Sequence, residues 1–334
     1  MQVAFYDRTG PAHEVLQLAE WPDPQAGPGE VRVRLRLRWS GINPSDVKSR
    51  AGLRSSVLAF PRIVPHSDGM GVVDAVGAGV DSARIGQRVW VWNAAWGRAF
   101  GTAAQYVVLP QSQAMLLPEN VADEAGACLG IPALTALHAV LLGASEGGGI
   151  AGQRVLVSGG AGAVGHYAVQ MARALGALQV IATTSTPHKA ALALAAGADA
   201  AVDYRQPDAA AQLRAVTGGH GVDRVIEMDI GANAALSLEL LRPGGDCVVY
   251  GSGDSPFSLP FFPLIVKNLN LRFFIVYKLS ASDRRRAEAT LDTLLRQGRL
   301  QHAIADRLPL TQIAEGHERV ASGRAIGNLV LALP

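Results

Sequence analysis

The sequence of 334 residues predicts an α/β protein with a doubly wound parallel sheet and a second, β-rich part. Up to about residue 125, short apolar runs lie between glycines and prolines, which is typical of strands joined by turns. From about residue 130 to 275, predicted strands alternate with predicted helices. A glycine-rich turn joins the first of these strands to its helix between Val155 and Gly176.

The β-rich part contains one strand with a regular alternation. From Arg32 to Arg38, arginines alternate with Val33, Leu35 and Leu37, which indicates a half-buried strand with its arginines in solvent. The strands predicted here are a short one in Met1–Asp7, then Val31–Trp39, Gly71–Val76, Arg88–Trp92 and Ala104–Leu109.

The alternating part contains the strands of the predicted parallel sheet. These are Arg154–Ser158, Gln179–Thr184, Ala200–Val202, Asp223–Met228, Asp246–Gly251 and Leu271–Val276. Helices are predicted between them near 163–175, 187–196, 207–216 and 232–241. The remaining chain is predicted to form helices over Asp283–Gln297 and Thr311–Ser322 and a last strand over Asn328–Leu333.

The glycine-rich turn predicts a dinucleotide-binding site. Apolar residues from Val155 to Val157 end in a turn with Gly159, Gly162 and Gly165, and a helix with apolar positions at helical spacing follows. Such glycines let the backbone approach a pyrophosphate, and the helix N-terminus offers free N–H groups. The alternative is an ordinary turn between a strand and a helix.

The end of the second strand predicts which dinucleotide binds. NAD-specific sites usually carry an acidic residue here, whereas this chain reads Thr183, Thr184, Ser185, Thr186, Pro187, His188, Lys189. Hydroxyl groups and the Lys189 ammonium can bind a 2′-phosphate, which favours NADPH over NADH. Alternatively, Ser185 or Thr186 is simply the N-cap of the next helix, and both roles can hold together.

Composition excludes several classes of protein. A hydrophobic content of 49% with 17% charged residues is ordinary for a protein with a large core, and a net charge of +2 indicates neither a nucleic-acid partner nor a membrane surface. Cys128 and Cys247 lie in apolar surroundings, where two thiols form neither a disulfide framework nor a four-thiolate zinc site. The N-terminus lacks the plan of a signal peptide, so we expect a cytoplasmic protein.

Several motifs then follow each other in a defined order. They are GINPSD at Gly41–Asp46, VPHSDGMGVV at Val64–Val73, IPALTALHAV at Ile131–Val140, LRPGG at Leu241–Gly245, VYGS at Val249–Ser252 and GNLVLAL at Gly327–Leu333. With the glycine-rich turn, this order resembles the zeta-crystallin-type quinone oxidoreductases, the zinc-free branch of the medium-chain dehydrogenase/reductase superfamily. The resemblance implies a GroES-like catalytic domain over 1–127 and 275–334 and a Rossmann NADPH-binding domain over 128–274.

Zinc alcohol dehydrogenases are the relatives that this pattern could be confused with. Their catalytic zinc is held by a Cys where this chain has Asn43 and by a His–Glu pair where it has Ser67–Asp68, with His66 one residue out of register. An amide, a hydroxyl and a carboxylate make a poor zinc site. The cysteine-rich structural zinc lobe is also missing between Trp92 and Tyr106. We therefore predict an enzyme without a metal.

The resemblance also implies individual site residues. Asn43 is expected near the nicotinamide, where it would orient the acceptor or the carboxamide, although it could instead only bond its own turn before Pro44. Asp46 is expected in the same cleft, where some relatives add a Tyr that this chain replaces with Val47 or Lys48. The cofactor residues implied are Asn43, Thr135, Gly162, Ala163, Val164, Gly165, Thr184, Ser185, Lys189, Tyr204, Tyr250, Gly251, Ser252, Phe274, Val276 and Asn328.

The function implied is hydride transfer from NADPH to a quinone or related electron-poor carbonyl, without zinc as a Lewis acid. One alternative is reduction of the double bond of an enone or enoyl thioester, which needs a proton donor. A second is a protein that binds NADPH without useful turnover. The apolar strand Leu269–Tyr277 would be a hazard as a bare edge, so a homodimer is expected to cover it.

Overall fold

A computed structural model describes residues 1–25, 32–143, 149–253 and 256–334 of the chain. The residues form two compact units, one made of Met1–Pro132 with His302–Pro334 and the other of Ala133–Gln301. Val31, the predicted first residue of a strand, lies outside the described residues. Within the described residues, every helix is too short or too polar to cross a membrane.

The strands of the described residues are labelled in chain order. They are β1 (Gln2–Phe5), β2 (Gln17–Glu20), β3 (Arg32–Ile42), β4 (Asp68–Val76), β5 (Arg88–Val91), β6 (Tyr106–Pro110), β7 (Ala114–Leu116), β8 (Arg154–Val157), β9 (Gln179–Thr184), β10 (Ala200–Asp203), β11 (Val222–Glu227), β12 (Leu241–Val249), β13 (Asn270–Phe273), β14 (Ile304–Pro309) and β15 (Asn328–Ala332).

The α-helices are labelled in the same way. They are α1 (Ala12–Val15), α2 (Pro44–Arg50), α3 (Asp123–Gly126), α4 (Leu134–Leu141), α5 (Ala163–Ala174), α6 (Pro187–Ala195), α7 (Ala209–Val216), α8 (Ile230–Leu240), α9 (Phe261–Val266), α10 (Ala281–Arg296) and α11 (Ile313–Ala321). A π-helical segment over Leu129–Ala133 precedes α4.

The long strand β3 organises the first unit. It pairs antiparallel with β4, β6 and β15, in a sheet of order β14-β15-β3-β4-β5-β7. Val33, Leu35 and Leu37 are buried in the core on one face of the sheet, while Arg34 and Arg38 form ion pairs with carboxylates nearer the surface. The half-buried strand predicted from the arginine alternation is therefore confirmed.

The second unit contains a fully parallel sheet of order β10-β9-β8-β11-β12-β13 among the described residues. Counted from β8, this is the order 3-2-1-4-5-6 of the Rossmann fold, with its switch point between β8 and β11. The predicted α/β class, with a GroES-like part and a doubly wound sheet, is confirmed. Ligands of such sheets bind outside the carboxyl ends of the strands.

The last strand of this sheet is shorter than predicted. The sequence predicts a strand over Leu271–Val276, but β13 ends at Phe273. The Phe274 amide still donates to the Val249 carbonyl at 3.2 Å, and a 3₁₀ turn then begins at Val276. The Val276 carbonyl accepts a hydrogen bond from the buried Arg284 guanidinium, so the chain turns away from the sheet.

The limits of the compact units are a separate property from the domain boundaries at 127/128 and 274/275, which stay predictions. The compact units divide after Pro132 and after Gln301. Helix α10, predicted to belong with the GroES-like part, contacts α4 in the second unit. Its Ala287, Leu291, Leu294 and Leu295 are buried, because the apolar stripe of an amphipathic helix packs where it finds another apolar face.

A buried arginine fixes the end of α4. The Arg224 guanidinium is fully buried and donates to the carbonyls of Ala139, Val140 and Leu142 at 3.1, 2.9 and 2.6 Å. The last carbonyls of a helix have no partner inside the helix, and a cation is favourable at this end of its dipole. Arg224 therefore anchors α4, the helix that carries Thr135, on the parallel sheet.

Candidate functional site

The glycine-rich turn lies between β8 and α5 in the second unit. β8 ends at Val157, Gly159 adopts a left-handed conformation with φ of 67°, and α5 begins at Ala163 after Gly162 as its N-cap. A left-handed backbone favours glycine, because a Cβ there would crowd the following carbonyl. The predicted order of strand, glycine turn and helix is confirmed.

The N-terminus of α5 fits an anion. Gly162 has no side chain with which to cap the helix, so the N–H groups at Ala163 and Val164 keep their donor capacity among the described residues. Gly162, Ala163 and Val164 are half-buried and thus reachable from solvent. Uncapped donors and the positive end of the helix dipole suit a phosphate.

Two glycines of this turn allow close packing. A Cβ on Gly165 would collide with the Gly159 carbonyl, and one on Gly160 would collide with the Ala182 side chain on β9. Gly165 is buried. It therefore holds the first turn of α5 against the glycine turn.

The end of β9 is tied to the same turn. Thr183 is buried, its hydroxyl accepts the Gly159 amide at 3.0 Å, and its carbonyl accepts the Gly160 amide at 3.0 Å. Thr184, the last residue of β9, is also buried. These bonds bring the segment after β9 beside the glycine turn.

The structure shows which hydroxyl group caps α6, the helix that follows β9. Thr186 is the N-cap of α6, and its side chain accepts the Lys189 amide at 3.2 Å. Pro187 takes the first helical position, as is common. Capping is therefore done by Thr186, and the half-buried Ser185 and Lys189 remain available for a ligand.

The end of β10 lies next to the end of β9. The Tyr204 amide donates to the Thr184 carbonyl at 3.2 Å, and Tyr204 is 47% exposed. Asp203, the last residue of β10, pairs in register with Thr184 and is held by Arg205 in an ion pair of 2.8 Å. Sequence reasoning missed this carboxylate, because it looked for an acidic residue only at the end of the second strand, which is β9.

The end of β12 carries a second group of predicted residues. The Tyr250 amide donates to the Glu227 carbonyl at 3.1 Å, and a Cβ on Gly251 would collide with the Met228 carbonyl. Burial, together with the Glu227 carboxylate, raises the pKa of Tyr250. Tyr250, Gly251 and the following Ser252 thus lie at the carboxyl edge of the sheet.

Other predicted residues of the second unit lie around an aromatic contact. The Phe274 ring is 4.6 Å from His138 in an edge-on arrangement and 6.5 Å from Tyr250. Thr135, one helical turn before His138 on α4, is buried, and so is Val276. The Phe274 ring thus joins α4 to the segment that follows β12.

Sequence reasoning also missed Glu227, a fully buried carboxylate at the end of β11. Its oxygens accept the Asp229 amide at 2.7 Å, the Asn233 amide group at 2.9 Å and the Ser237 hydroxyl at 2.6 Å. A buried carboxylate needs such donors. It ties the beginning of α8 to the sheet edge, and no signal in the sequence pairs these residues.

In the first unit, Asn43 and Asp46 belong to the N-terminus of α2. Asn43 is the N-cap and Pro44 the first helical residue, and the Asp46 carboxylate accepts the Asn43 amide at 2.8 Å. This is a capping box in which Asp replaces the usual Glu. The segment GINPSD therefore begins a helix, and both predicted residues are buried in it.

Asp68 joins three segments of the first unit. Its carboxylate accepts the Asn43 side-chain amide at 2.8 Å and the Ile131 backbone amide at 2.9 Å. Gly130 allows this approach, because a Cβ there would collide with the carboxylate. Asn43 thus bonds more than its own turn.

These bonds decide what the positions of a catalytic zinc site do here. The Asn43 nitrogen that faces Asp68 is a hydrogen-bond donor and has no lone pair for a metal. Among the described residues, no three His, Cys, Asp or Glu side chains meet as a metal site. Asn43 and Asp68 are therefore suited to form hydrogen bonds with each other and not to hold a metal ion.

Burial keeps protons on this cluster. Burial raises the pKa of Asp46 to about 7, against the hydrogen bond from the Asn43 amide, which lowers it. Burial also raises the pKa of Asp68 well above its ordinary value, although the bonds from Ile131 and Asn43 favour the charged form. A buried carboxyl with a pKa near neutrality is a candidate acid.

A buried polar chain runs behind this cluster. The Thr102 hydroxyl donates to the Asp68 carbonyl at 2.5 Å, and Ser40 lies 2.8 Å from both Thr102 and His66 Nδ1. His66 Nε2 lies 2.9 Å from His317 Nε2. The sequence placed His66 beside the zinc positions, and nothing in it indicates His317.

The proton positions in this chain follow from the donors. Because Thr102 gives its proton to Asp68, Ser40 must donate to Thr102, and His66 Nδ1–H then donates to Ser40. His66 Nε2 is left to accept from His317 Nε2–H. Burial lowers the pKa of His66 to about 3 and that of His317 well below its ordinary value, so both imidazoles are neutral.

Comparison with known proteins gives the same architecture. A family model described as alcohol dehydrogenase GroES-like domain matches residues 27–119, and one described as zinc-binding dehydrogenase matches residues 163–295. Quinone oxidoreductase of Sus scrofa is 30% identical over 307 residues, which cover 92% of this chain and 90% of that protein. 2-Haloacrylate reductase of Burkholderia sp is 30% identical over 347 residues, covering 99% and 98%.

A solved structure is similar along its full length. Escherichia coli quinone oxidoreductase, crystallised in complex with NADPH, superimposes with a TM-score of 0.85 and is 27% identical, covering 99% of this chain and 100% of that chain. The fold of this chain is thus that of a GroES-like unit with a Rossmann unit.

The histidine pair predicts how stability depends on pH. His317 has its pKa lowered well below 6.5 by burial, by His66 and by Arg50, so below pH 6.5 the unfolded chain takes up a proton that the folded chain does not. The contribution of His317 to stability is present above pH 6.5 and is lost as pH falls, by about 2 kcal/mol from pH 7 to pH 5.

Urea unfolding at several pH values measures this effect. The free energy of unfolding of the parent chain should fall more steeply below pH 6.5 than that of His317→Asn. The exposed His220→Asn is the control and should follow the parent chain. Protonation of Asp46 and Asp68 stabilises the folded chain as pH falls. This contribution is the same in the parent and in His317→Asn, so it cancels in the difference between their free energies of unfolding. Equal slopes for His317→Asn and the parent would contradict the neutral pair.

Proposed function

The chain belongs to the quinone oxidoreductase family of the medium-chain dehydrogenases and reductases, and from this premise we propose that it transfers hydride from NADPH to a quinone or related electron-poor carbonyl. The observation that carries the proposal is the turn from β8 into the uncapped N-terminus of α5, which offers a cradle for a pyrophosphate. The Escherichia coli relative crystallised with NADPH supports the choice of cofactor.

The residues present fit this cofactor. Gly162, Ala163 and Val164 would hold the pyrophosphate at the N-terminus of α5, with Gly165 behind them. At the end of β9, Thr184, Ser185 and Lys189 would meet the 2′-phosphate, and Tyr204 would flank the adenosine. When bound, the nicotinamide supplies the hydride.

The nicotinamide end is assigned to the aromatic side of the same edge. Thr135, Tyr250, Gly251, Ser252, Phe274 and Val276 are proposed to enclose it, since the carboxyl edge is where such sheets bind ligands. Asn328 starts β15 in the first unit, and its side chain donates to the Ala303 carbonyl at 3.1 Å. Its predicted role toward the cofactor stays a prediction.

Asn43 and Asp46 are proposed to act on the acceptor. A quinone accepts hydride without a Lewis acid, so the protein has to orient it and to supply a proton to the oxygen that becomes anionic. The Asn43 side-chain amide is held by a hydrogen bond to Asp68, and the Asp46 carboxyl is protonated below about pH 7. Asp46 is thus the proposed proton donor.

Reduction of a carbon–carbon double bond is the second candidate function. The similarity to 2-haloacrylate reductase favours it, because that relative is named for an electron-poor alkene. The cofactor residues would be the same, and Asp46 would deliver its proton to carbon instead of oxygen. Binding of NADPH without turnover is the remaining alternative.

An apolar surface of the second unit is proposed to join two copies of the chain. Phe261, Phe262 and Val266 on α9 are 72%, 71% and 61% exposed, and Phe273 on the edge strand β13 is 56% exposed. Large exposed apolar patches and open sheet edges mark contact sites. A second copy paired along β13 would cover both features.

A cytoplasmic location is proposed with this function. Cys128 and Cys247 are buried thiols outside any disulfide among the described residues, and burial raises the pKa of the Cys247 thiol to about 12. Such thiols suit a reducing compartment.

A panel of acceptors tests the proposed reaction. Oxidation of NADPH at 340 nm should proceed with 1,4-benzoquinone and 9,10-phenanthrenequinone, more slowly with NADH, and unchanged after treatment with a chelator. Turnover only with an enone or enoyl thioester would move the function to double-bond reduction. Binding without turnover on any acceptor would overturn the enzymatic proposal, and loss of activity with the chelator would overturn the metal-free one.

The pH profile tests the proton donor. Because the pKa of Asp46 is raised to about 7, kcat with a quinone should fall above pH 7, by about tenfold per pH unit, as the carboxyl loses its proton. Asp46→Asn keeps an acceptor for the Asn43 backbone amide. It should lower kcat about 100-fold and remove the fall of kcat above pH 7. Asp74→Asn, at a surface ion pair with Arg34, is the control and should keep the fall of kcat above pH 7. An unchanged profile in Asp46→Asn would show that Asp46 only caps α2.

Light scattering tests the dimer. The parent chain at micromolar concentration should have twice the mass of one chain, and Phe261→Asp with Phe273→Asp should have the mass of one. Leu53→Asp, at an equally exposed residue of the first unit, should stay dimeric. A parent chain with the mass of one copy would disprove the proposal.

A further inference from the structure

We propose that Arg205 determines the preference for the 2′-phosphate by neutralising Asp203, a carboxylate that would otherwise select a nucleotide without this phosphate. The inference rests on the proposed use of NADPH and names a residue pair that acts on its specificity. It is carried by the register of two strand ends and by the geometry of one ion pair.

The register places Asp203 at the ligand edge. Asp203 is the last residue of β10 and pairs with Thr184, the last residue of the parallel strand β9. The following Tyr204 amide donates to the Thr184 carbonyl at 3.2 Å, so the two chain segments stay together beyond the strands. The carboxylate therefore lies at the same edge as Ser185 and Lys189.

A carboxylate at this edge has a known physical effect. An acidic residue here accepts hydrogen bonds from the ribose hydroxyls and repels a 2′-phosphate, and such a residue usually stands at the end of the second strand. In this chain that position is Thr184, but the neighbouring strand end supplies Asp203. Without compensation, Asp203 would oppose Lys189.

Arg205 provides the compensation. Its Nε donates to Asp203 Oδ1 at 3.0 Å and its Nη2 to Oδ2 at 2.8 Å, while the Arg205 backbone amide also donates to Oδ1 at 3.0 Å. The planar guanidinium thus occupies both carboxylate oxygens. Three of the acceptor sites on the Asp203 carboxylate are thus used by Arg205, and the charge of the pair sums to zero.

Two other roles of Arg205 make different predictions. If the pair only closes the turn after β10, its loss affects stability and weakens all nucleotides equally. If Arg205 binds the phosphate directly, removing the Asp203 charge replaces none of the lost hydrogen bonds and regains only a small part of the affinity. Only neutralisation predicts that removing the Asp203 carboxylate restores most of the affinity for the 2′-phosphate that is lost when the Arg205 guanidinium is removed.

Calorimetric titration of the purified chain separates these roles. The probes are adenosine 2′,5′-bisphosphate and adenosine 5′-monophosphate, which lack nicotinamide and need no acceptor. We expect Arg205→Ala to weaken the bisphosphate five- to tenfold, as expected for an exposed like charge close to a phosphate, and to leave the monophosphate nearly unchanged. The double variant Asp203→Asn with Arg205→Ala should regain most of the lost affinity.

Controls separate this proposal from the proposed function. Arg242→Ala breaks a similar pair with Asp223 at the amino ends of β11 and β12, the opposite edge of the sheet, and should change neither affinity. Lys189→Ala should weaken the bisphosphate whatever Arg205 does. If the parent chain does not prefer the bisphosphate, the NADPH proposal and this one both fail. A double variant as weak as Arg205→Ala, or an equal loss for both probes, overturns the role of Arg205 alone.

Discussion

The close approach of α5 to the end of β8 is the constraint on which the nucleotide site depends. It exists because Gly160 and Gly165 carry no side chains, so that the turn can lie against β9 and the helix can start immediately behind it. The N–H groups at Ala163 and Val164 then face outward at the switch point of the sheet. The hydrogen bonds of Thr183 to the same turn bring the end of β9 beside it. One packing requirement thus brings together the two segments that are proposed to bind the pyrophosphate and the ribose.

The first unit solves a different problem, because its polar cluster is buried. Asp68 joins Asn43 and Ile131 by hydrogen bonds where a zinc enzyme would place metal ligands. A metal would tolerate charged ligands, but a buried cluster without one is favoured when its groups are neutral or fully bonded. The raised pKa of Asp46 and the neutral pair of His66 and His317 are two results of this requirement. The same burial that disfavours charge keeps a proton on Asp46 up to about pH 7, which is the basis of its proposed role as proton donor.

At the exposed nucleotide edge, charge is handled by pairing instead of by burial. Asp203 stays ionised and forms an ion pair with Arg205. Glu227, which is fully buried, accepts hydrogen bonds from amide and hydroxyl donors instead. Arg224 shows the same principle for a cation, since its guanidinium is bound to the last carbonyls of α4. Asp203, Glu227 and Arg224 thus each have an identified partner that ties neighbouring elements together.

The sequence by itself determined the features that depend on local pattern. The alternation of β3, the parallel strands, the glycine turn before α5 and the N-cap before Pro187 follow from periodicity and from residues adjacent in the chain. Only the tertiary structure decided which distant residues meet. His66 and His317 are 251 positions apart, Asp203 became relevant through its register with Thr184, and α10 joined the second unit because its apolar stripe packs on α4. The physical reason is that a side chain's charge, proton and partner depend on burial and on neighbours from other elements, which no local pattern encodes.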